Sequence, residues 1–80
     1  MKREEVMELV LKNIKTTVPR LAEKNIDPDA SYAALGISSL DIAEIVSKTT
    51  RELNVKVPRT ELAKLTTASQ LVDIICKTAG

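Results

Sequence analysis

Two adjacent serines, Ser38 and Ser39, stand at the start of a segment with the apolar spacing of an amphipathic helix. Ser38 is predicted to cap this helix, because a serine hydroxyl accepts a hydrogen bond from a backbone N–H of the first turn. Asp41 lies three residues further on, as in a capping box. Ser39 then occupies the first helical position, where an attached phosphodiester would lie beside unbonded N–H groups and the positive end of the helix dipole. The pattern therefore predicts a site for a covalently attached phosphorylated group.

Side chains that could perform catalysis are scarce in this sequence. The chain contains no histidine and one cysteine, Cys76, so it offers no nucleophile-base pair, thiol dyad or zinc cluster. Carboxylates at helical spacing, such as Asp41 and Glu44, are interpreted as solvated charges on helix faces. Cys76 is expected at the edge of the core in the last helix, as a thiol in a reducing compartment. We therefore expect no catalytic residue, no bound metal and no enzymatic activity of the chain by itself.

The length and composition restrict the class of protein. A chain of 80 residues supports one small core, so residues 1–80 are expected to form a single domain. Apolar residues make up 44% of the chain and aromatic residues 1%, so Leu, Ile and Val must form that core. Lysine and arginine number 12 against 11 acidic residues, which gives no net field to attract nucleic acid or an anionic membrane. We therefore expect no nucleic-acid or membrane partner. The chain is also expected to be a cytoplasmic monomer.

Apolar residues at helical spacing, together with caps and prolines, predict four helices. The expected segments are helix I from about Lys2 to Thr17, helix II from Ser39 to about Leu53, a turn or two of helix III within residues 59–65, and helix IV from its cap at Thr67 through Lys77. Each has an apolar stripe that can be buried only against the others. The predicted fold is all-α, a small four-helix bundle of three longer helices and one short helix III.

The same stripes predict which side chains form the core. They comprise Val6, Leu9, Val10 and Ile14 in helix I, Ile42, Ile45, Val46, Thr49 and Leu53 in helix II, and Leu71, Ile74, Ile75 and Thr78 in helix IV. Ile26 and Leu35 are expected to attach the long connection between helices I and II to this core. Leu40 falls about 160° around helix II from Ile42, on the solvent face beside Ser39. We interpret this leucine as a contact for a partner.

The segment Leu35–Asp41 resembles the attachment motif of acyl and peptidyl carrier proteins. In that motif an Asp-Ser-Leu triplet opens the second helix, and its serine carries 4'-phosphopantetheine. Here the triplet reads Ser38, Ser39, Leu40, so Ser38 replaces the usual aspartate but can still cap the helix. The similarity continues in the same order along most of the chain, through residues 30–36, Val57-Pro58 and residues 65–75.

This resemblance implies a carrier function. A phosphopantetheinyl transferase would attach 4'-phosphopantetheine from coenzyme A to Ser39, and the terminal thiol of this covalent arm would hold acyl intermediates as thioesters. The partners would be acyl-loading and acyl-transferring or condensing enzymes of fatty-acid, polyketide or related biosynthesis. Tethering raises the effective concentration of the acyl group at each docked enzyme.

Helix II is the expected contact surface for those enzymes, through Leu40, Asp41, Glu44, Ser47 and Lys48. Carriers of the fatty-acid type resemble one another in a strongly acidic helix II, whereas the acidic start of this helix is followed by Lys48 and Arg51. These cations would repel a basic enzyme surface, so we expect partner recognition that is less purely electrostatic. The difference favours a specialised carrier of secondary metabolism.

Two other functions remain open on the sequence. An aminoacyl or peptidyl carrier of a nonribosomal pathway would have the same motif and the same fold. An unmodified helical adaptor or a DNA-binding bundle belongs to a different class, and the balanced charge and lack of a clustered basic helix argue against binding to DNA. An adaptor would keep its binding after Ser39→Ala, whereas a carrier would lose all loading.

Overall fold

A computed structural model describes residues 2–79, and within that range four α-helices follow one another along the chain. They are α1 (Arg3–Thr17), α2 (Ser39–Leu53), α3 (Arg59–Leu62) and α4 (Ala68–Ala79). A one-turn 3-10 helix, Pro19–Leu21, lies in the connection between α1 and α2. The predicted all-α fold of three longer helices and one short helix is confirmed. Helix α4 extends past the expected Lys77 to Ala79.

Helix α1 contacts both α2 and α4 and lies at the centre of the packing. The most deeply buried aliphatic side chains come from the facing sides of these helices: Val6, Val10, Ile14, Ile45, Leu71, Val72 and Ile75. They belong to one hydrophobic core, and full burial of such a side chain contributes about 1.5–3 kcal/mol. In the part of the chain that the structure describes, no helix is both long enough and apolar enough to cross a membrane.

The predicted inner face of α4 needs correction. Thr78 is exposed and Ile74 is only half-buried, whereas Val72 is completely buried. Residues 77–79 are all exposed, so the last turn of α4 extends beyond the core. The inner face is therefore rotated around the helix from the predicted one towards Val72, and Ala68 in the first turn is also buried on it. Ile42 and Leu53, two other expected core residues, are partly buried at the edge of the hydrophobic core. Leu9 is half-buried, and Met7 and Leu11 are the partly buried residues of α1 that pack against the core instead.

A buried hydrogen bond links α1 to α2. The side-chain amide of Asn13 donates to Thr49 Oγ1 at 2.9 Å, and the Thr49 hydroxyl donates to the Ile45 carbonyl at 2.7 Å. Asn13 is 4% exposed and Thr49 is 0% exposed, so loss of either partner would leave a buried polar group unsatisfied, at a cost of about 1–3 kcal/mol. The pair therefore fixes the alignment of α1 against α2.

The long connection between α1 and α2 packs on the core through its own apolar residues. Four of them are buried and the last is partly buried: Leu21, Ile26, Tyr32, Ile37 and Leu35. The Tyr32 N–H also donates to the Thr66 carbonyl at 2.7 Å, and the Ser69 N–H donates to the Pro28 carbonyl at 3.0 Å. The connection is thus attached to the start of α4 as well as to the core. The predicted attachment of this connection to the core through Ile26 and Leu35 is confirmed.

Tyr32 is the only aromatic residue of the protein and gives a pH-dependent prediction. Burial raises its pKa from 10.0 to about 12, and its buried hydroxyl has no hydrogen-bond partner among the residues that the structure describes. The pKa of Tyr32 is higher in the folded protein than in the unfolded chain, so the neutral phenol favours the folded state. Its contribution to the free energy of unfolding is complete at neutral pH. It is lost as the pH rises from about 10 through about 12.

We therefore expect tyrosinate absorbance to appear above pH 10 and together with unfolding. Alkaline unfolding of Tyr32→Phe, followed by circular dichroism, should begin at higher pH than that of the wild-type protein. The phenylalanine variant should be at least as stable at neutral pH, since the hydroxyl it lacks makes no hydrogen bond to the described part of the chain. Titration at the ordinary pKa of tyrosine in protein that is still folded would contradict this prediction.

Candidate functional site

The loop before α2 is folded by local hydrogen bonds and by one glycine. The Ser31 hydroxyl accepts a bond from the Ala34 N–H at 3.0 Å. The Tyr32 carbonyl accepts one from the Ile37 N–H at 2.9 Å. Gly36 has a φ of 72°, in the left-handed region that glycine enters without the steric cost of a Cβ. The chain therefore reverses at Gly36, buries Ile37 in the core and continues directly into α2.

Ser38 is the N-cap residue of α2, with extended backbone at a ψ of 163°. Its hydroxyl accepts a hydrogen bond from the Asp41 N–H at 3.2 Å, and its carbonyl accepts one from the Ile42 N–H at 3.0 Å. Among residues 2–79, no return bond joins the Asp41 carboxylate to the Ser38 N–H, so half of the capping box is formed. The aspartate side chain is one methylene shorter than the glutamate typical of that motif. The hydroxyl of Ser38 is thus occupied in starting the helix.

Ser39 is the first residue of α2 and is exposed to solvent. The first N–H groups of an α-helix have no acceptor within the helix. Since Ser38 accepts from Asp41 and Ile42, the N–H groups of Ser39 and Leu40 remain available to an anion. The positive end of the helix dipole lies at the same place. The residues present therefore fit a phosphodiester on the Ser39 hydroxyl.

Beyond Ser39, one exposed stripe runs along α2, and we call it the α2 surface: Leu40, Glu44, Ser47 and Arg51. Leu40 is 84% exposed, which is unusual for a large hydrophobic side chain in this small molecule. At the other end, Arg51 Nη2 donates to Ser47 Oγ at 3.2 Å. The surface therefore changes along the helix from apolar through acidic to basic.

The remaining two residues expected to contact partners, Asp41 and Lys48, are half-buried on the α1 side of this surface. Beside Lys48, a hollow of about 280 Å³ lies on the surface between α1 and α2. It is lined by Lys12, Asn13, Thr16, Lys48, Arg51 and Glu52. Three cations and one carboxylate line it, so the end of the α2 surface is positively charged. The structure thus brings all five expected contact residues to one side of the molecule.

A larger groove of about 880 Å³ begins at Ser39 and follows the other flank of α2. Its walls are α2, the connection to α3, and α3 with the residues after it. The apolar residues that line it are Ile42, Ala43, Val46, Val55, Val57, Leu62, Ala63 and Leu65. This groove was not predicted from the sequence. Its one signal was the alternation of Val55, Lys56 and Val57, which gives the connection an apolar side.

Comparison with known proteins agrees with this geometry. Residues 6–75 match the family described as "Phosphopantetheine attachment site". The match covers most of the chain and includes Ser39 and both of its flanking segments. The chain therefore belongs to this family of acyl carrier proteins, whose prosthetic group is 4'-phosphopantetheine.

Two relatives show how far the similarity extends. The chain is 28% identical over 75 residues to the polyketide biosynthesis acyl-carrier-protein AcpK of Bacillus subtilis (strain 168). This match covers 94% of this chain and 92% of that protein. The structure of this protein is also similar to a chain in the crystal structure of the curacin biosynthetic pathway HMG synthase in complex with acetyl donor-ACP. The TM-score is 0.84, the sequence identity is 30%, and the comparison covers 100% of each chain. The fold is therefore that of an acyl carrier protein throughout.

Proposed function

We propose that this protein is an acyl carrier of polyketide biosynthesis with 4'-phosphopantetheine attached to Ser39. The observation that carries the proposal is the exposure of Ser39 at the first position of a capped helix, within the segment that matches the attachment family. The adjacent Ser38 uses its hydroxyl as the cap, so it is the less suitable of the two serines.

Each part of the site has a role in this proposal. The Ser39 hydroxyl supplies the oxygen that joins the phosphodiester, and the N–H groups of Ser39 and Leu40 stabilise its negative charge. The attached group supplies a terminal thiol that holds acyl groups as thioesters. The groove that begins at Ser39 offers an apolar wall at the point of attachment. The protein itself contributes position and binding, and its partner enzymes contribute the chemistry.

The proposed partners are a phosphopantetheinyl transferase and acyl-loading, acyl-transferring or condensing enzymes. Assignment to polyketide assembly is supported by the relative named for polyketide biosynthesis and by the structural relative found with an HMG synthase. It is also supported by the α2 surface, which ends in Arg51 instead of remaining acidic. The absence of histidine from the sequence supports the role of a cosubstrate that is not itself an enzyme. We propose that it acts as a cytoplasmic monomer.

Incubation with coenzyme A and a broad-specificity phosphopantetheinyl transferase tests this function. The intact mass of purified apo protein should rise by one phosphopantetheine group. Folded apo protein that gains no mass with several transferases, each active on a known carrier in parallel, would contradict the proposal. Binding to partners without any modification would instead identify an unmodified adaptor.

Leu40→Ala should weaken transfer to a partner enzyme without changing the fold. Leu40 makes little contact with the core, so the free energy of unfolding should change by less than about 0.5 kcal/mol. Loss of an apolar anchor at an interface costs about 1–2 kcal/mol, so the KM of an acyl-transferring enzyme for the loaded carrier should rise about tenfold. Leu40→Met, which keeps an apolar side chain, is the matched control. An unchanged KM in the alanine variant would remove Leu40 from the partner surface.

A further inference from the structure

The side chain of Arg20 connects two distant parts of the loop that precedes Ser39. Arg20 lies in the 3-10 turn Pro19–Leu21, just after α1. Its Nη2 atom donates to the Leu35 carbonyl at 2.9 Å and to the Gly36 carbonyl at 2.5 Å. Both acceptors lie at the reversal that leads into α2, so one guanidinium group holds the beginning of the loop against its end.

These contacts act on the segment that determines the position of Ser39. A hydrogen bond from a charged donor is shorter and stronger than one between neutral groups. Between Gly36 and Ser39 the chain is held by the buried side chain of Ile37, by the Ile37 N–H and by the cap at Ser38. Arg20 adds a fixed point at the residue where the chain reverses. Without it, the two carbonyls would be solvated, and the reversal would be held by the backbone hydrogen bonds of Leu35, Gly36 and Ile37 to residues 31–33.

Gly36 is suited to this contact in two ways. Its φ of 72° permits the reversal. A Cβ built at Gly36 would also lie 2.8 Å from Arg20 Nη2, so any larger residue would displace the guanidinium group. The glycine thus leaves room for the arginine as well as turning the chain.

We propose that Arg20 is a positioning residue that holds the start of α2 in the conformation recognised by the enzyme that modifies Ser39. The inference rests on the proposed attachment at Ser39. The Arg20 side chain makes its hydrogen bonds to the carbonyls of Leu35 and Gly36 and acts on Ser39 through them. Removal of the guanidinium group lowers the fraction of protein in the competent conformation, and the apparent affinity for the transferase falls by the same factor.

Amide hydrogen exchange tests the local effect independently of any modification. The informative amides are the hydrogen-bonded N–H groups of Ile37, Asp41 and Ile42, which hold the loop end and the first turn of α2. In Arg20→Ala their exchange should become about fivefold faster, the factor expected for loss of about one hydrogen bond. Exchange in α4 beyond its first turn, for example at Ile75, should stay unchanged. Equal acceleration throughout the molecule would show a global loss of stability and overturn the positioning role.

Kinetics of phosphopantetheine attachment test the functional effect. For Arg20→Ala we expect the KM for the apo carrier to rise by a factor of up to about five, the limit set by the increase in local opening, while kcat changes by less than about twofold. Arg20→Lys keeps a charged donor and should restore part of the affinity. Lys24→Ala removes a positive charge from the same loop and is the matched control, with wild-type kinetics expected. A wild-type KM in Arg20→Ala, or an equal effect of Lys24→Ala, would overturn the proposal.

Modification of the wild-type protein distinguishes the attachment at Ser39 from the role of Arg20. Wild-type protein that accepts no phosphopantetheine would overturn the attachment at Ser39 and, with it, this role of Arg20. Wild-type protein that is modified normally, beside an Arg20→Ala variant with unchanged exchange and unchanged KM, would overturn the role of Arg20 alone.

Discussion

Replacement of Ser39 by alanine is expected to abolish attachment of phosphopantetheine and all acyl loading while the fold persists. The substitution removes the oxygen that forms the phosphodiester, so no slower route remains at this position. Ser39 is exposed and alanine is a strong helix former, so the free energy of unfolding should change by less than about 0.5 kcal/mol. Intact mass after incubation with coenzyme A and transferase, with thermal unfolding in parallel, measures both effects.

The adjacent serine supplies the matched control. Ser38→Ala removes the cap but keeps the Ser39 hydroxyl, so the protein should still be modified to completion while its free energy of unfolding falls by about 1 kcal/mol. The two variants should therefore separate attachment from stability. Modification of Ser39→Ala to the wild-type extent would contradict attachment at Ser39. Loss of modification in Ser38→Ala alone would contradict it as well.

The largest expected effect on stability comes from Ile75→Ala. Ile75 is completely buried between α4 and the core, and truncation of such a side chain costs about 2–5 kcal/mol. A domain of this size has a free energy of unfolding of about 4–12 kcal/mol, so the variant should lose a large share of it. Urea unfolding followed by circular dichroism should show a much lower midpoint and a similar slope.

Ile74→Ala is the control for that experiment, because it makes the same chemical change one residue earlier on the same helix. Ile74 is only half-buried, so its truncation should cost clearly less than that of Ile75. Equal losses for the two variants would contradict the orientation of α4 described above. Equal losses are also what the face predicted from the sequence would give, since that face contains both isoleucines.

The ends of α2 were predictable because their signals are local. Ser38 starts the helix with its own hydroxyl, and the helix ends where Asn54 adopts a φ of 56°. At that end the Asn54 N–H donates to the Arg51 carbonyl, and the Val55 N–H donates to the Thr50 carbonyl. This is the Schellman pattern, and asparagine tolerates the left-handed conformation better than most residues. Such signals involve residues within one or two turns of each other.

The cap of α4 shows the limit of a local pattern. The Thr67 hydroxyl accepts from the Gln70 N–H at 3.2 Å, as the predicted capping box requires. The Gln70 side chain, however, accepts from the Thr66 N–H at 2.7 Å instead of the Thr67 N–H. Position Thr67 is constrained by an isolated bridge to Ser31, which lies in the distant loop. The Thr66 carbonyl also accepts from the Tyr32 N–H of that loop, so the residues that cap α4 take part in a contact that the local pattern does not show.

Three features of the fold and the site depend on residues far apart in the sequence and were not predicted. The hydrogen bond between Asn13 and Thr49 spans 36 positions, and the contact of Arg20 with Gly36 spans 16. The groove beside Ser39 exists only because the connection after α2 folds back along that helix. Hydrophobic periodicity predicts that a face is buried, but it does not specify which polar side chains meet across it.

Site localisation on the loaded wild-type protein tests the central claim most directly. Trypsin cleaves after Lys24 and Lys48, so residues 25–48 form one peptide with four serines: Ser31, Ser38, Ser39 and Ser47. Fragmentation of the phosphopantetheinylated peptide by mass spectrometry can separate neighbouring residues. We predict one modified residue, Ser39, in a protein whose other serines stay unmodified. Modification of Ser38, Ser31 or Ser47 with Ser39 unmodified would contradict the account of this site.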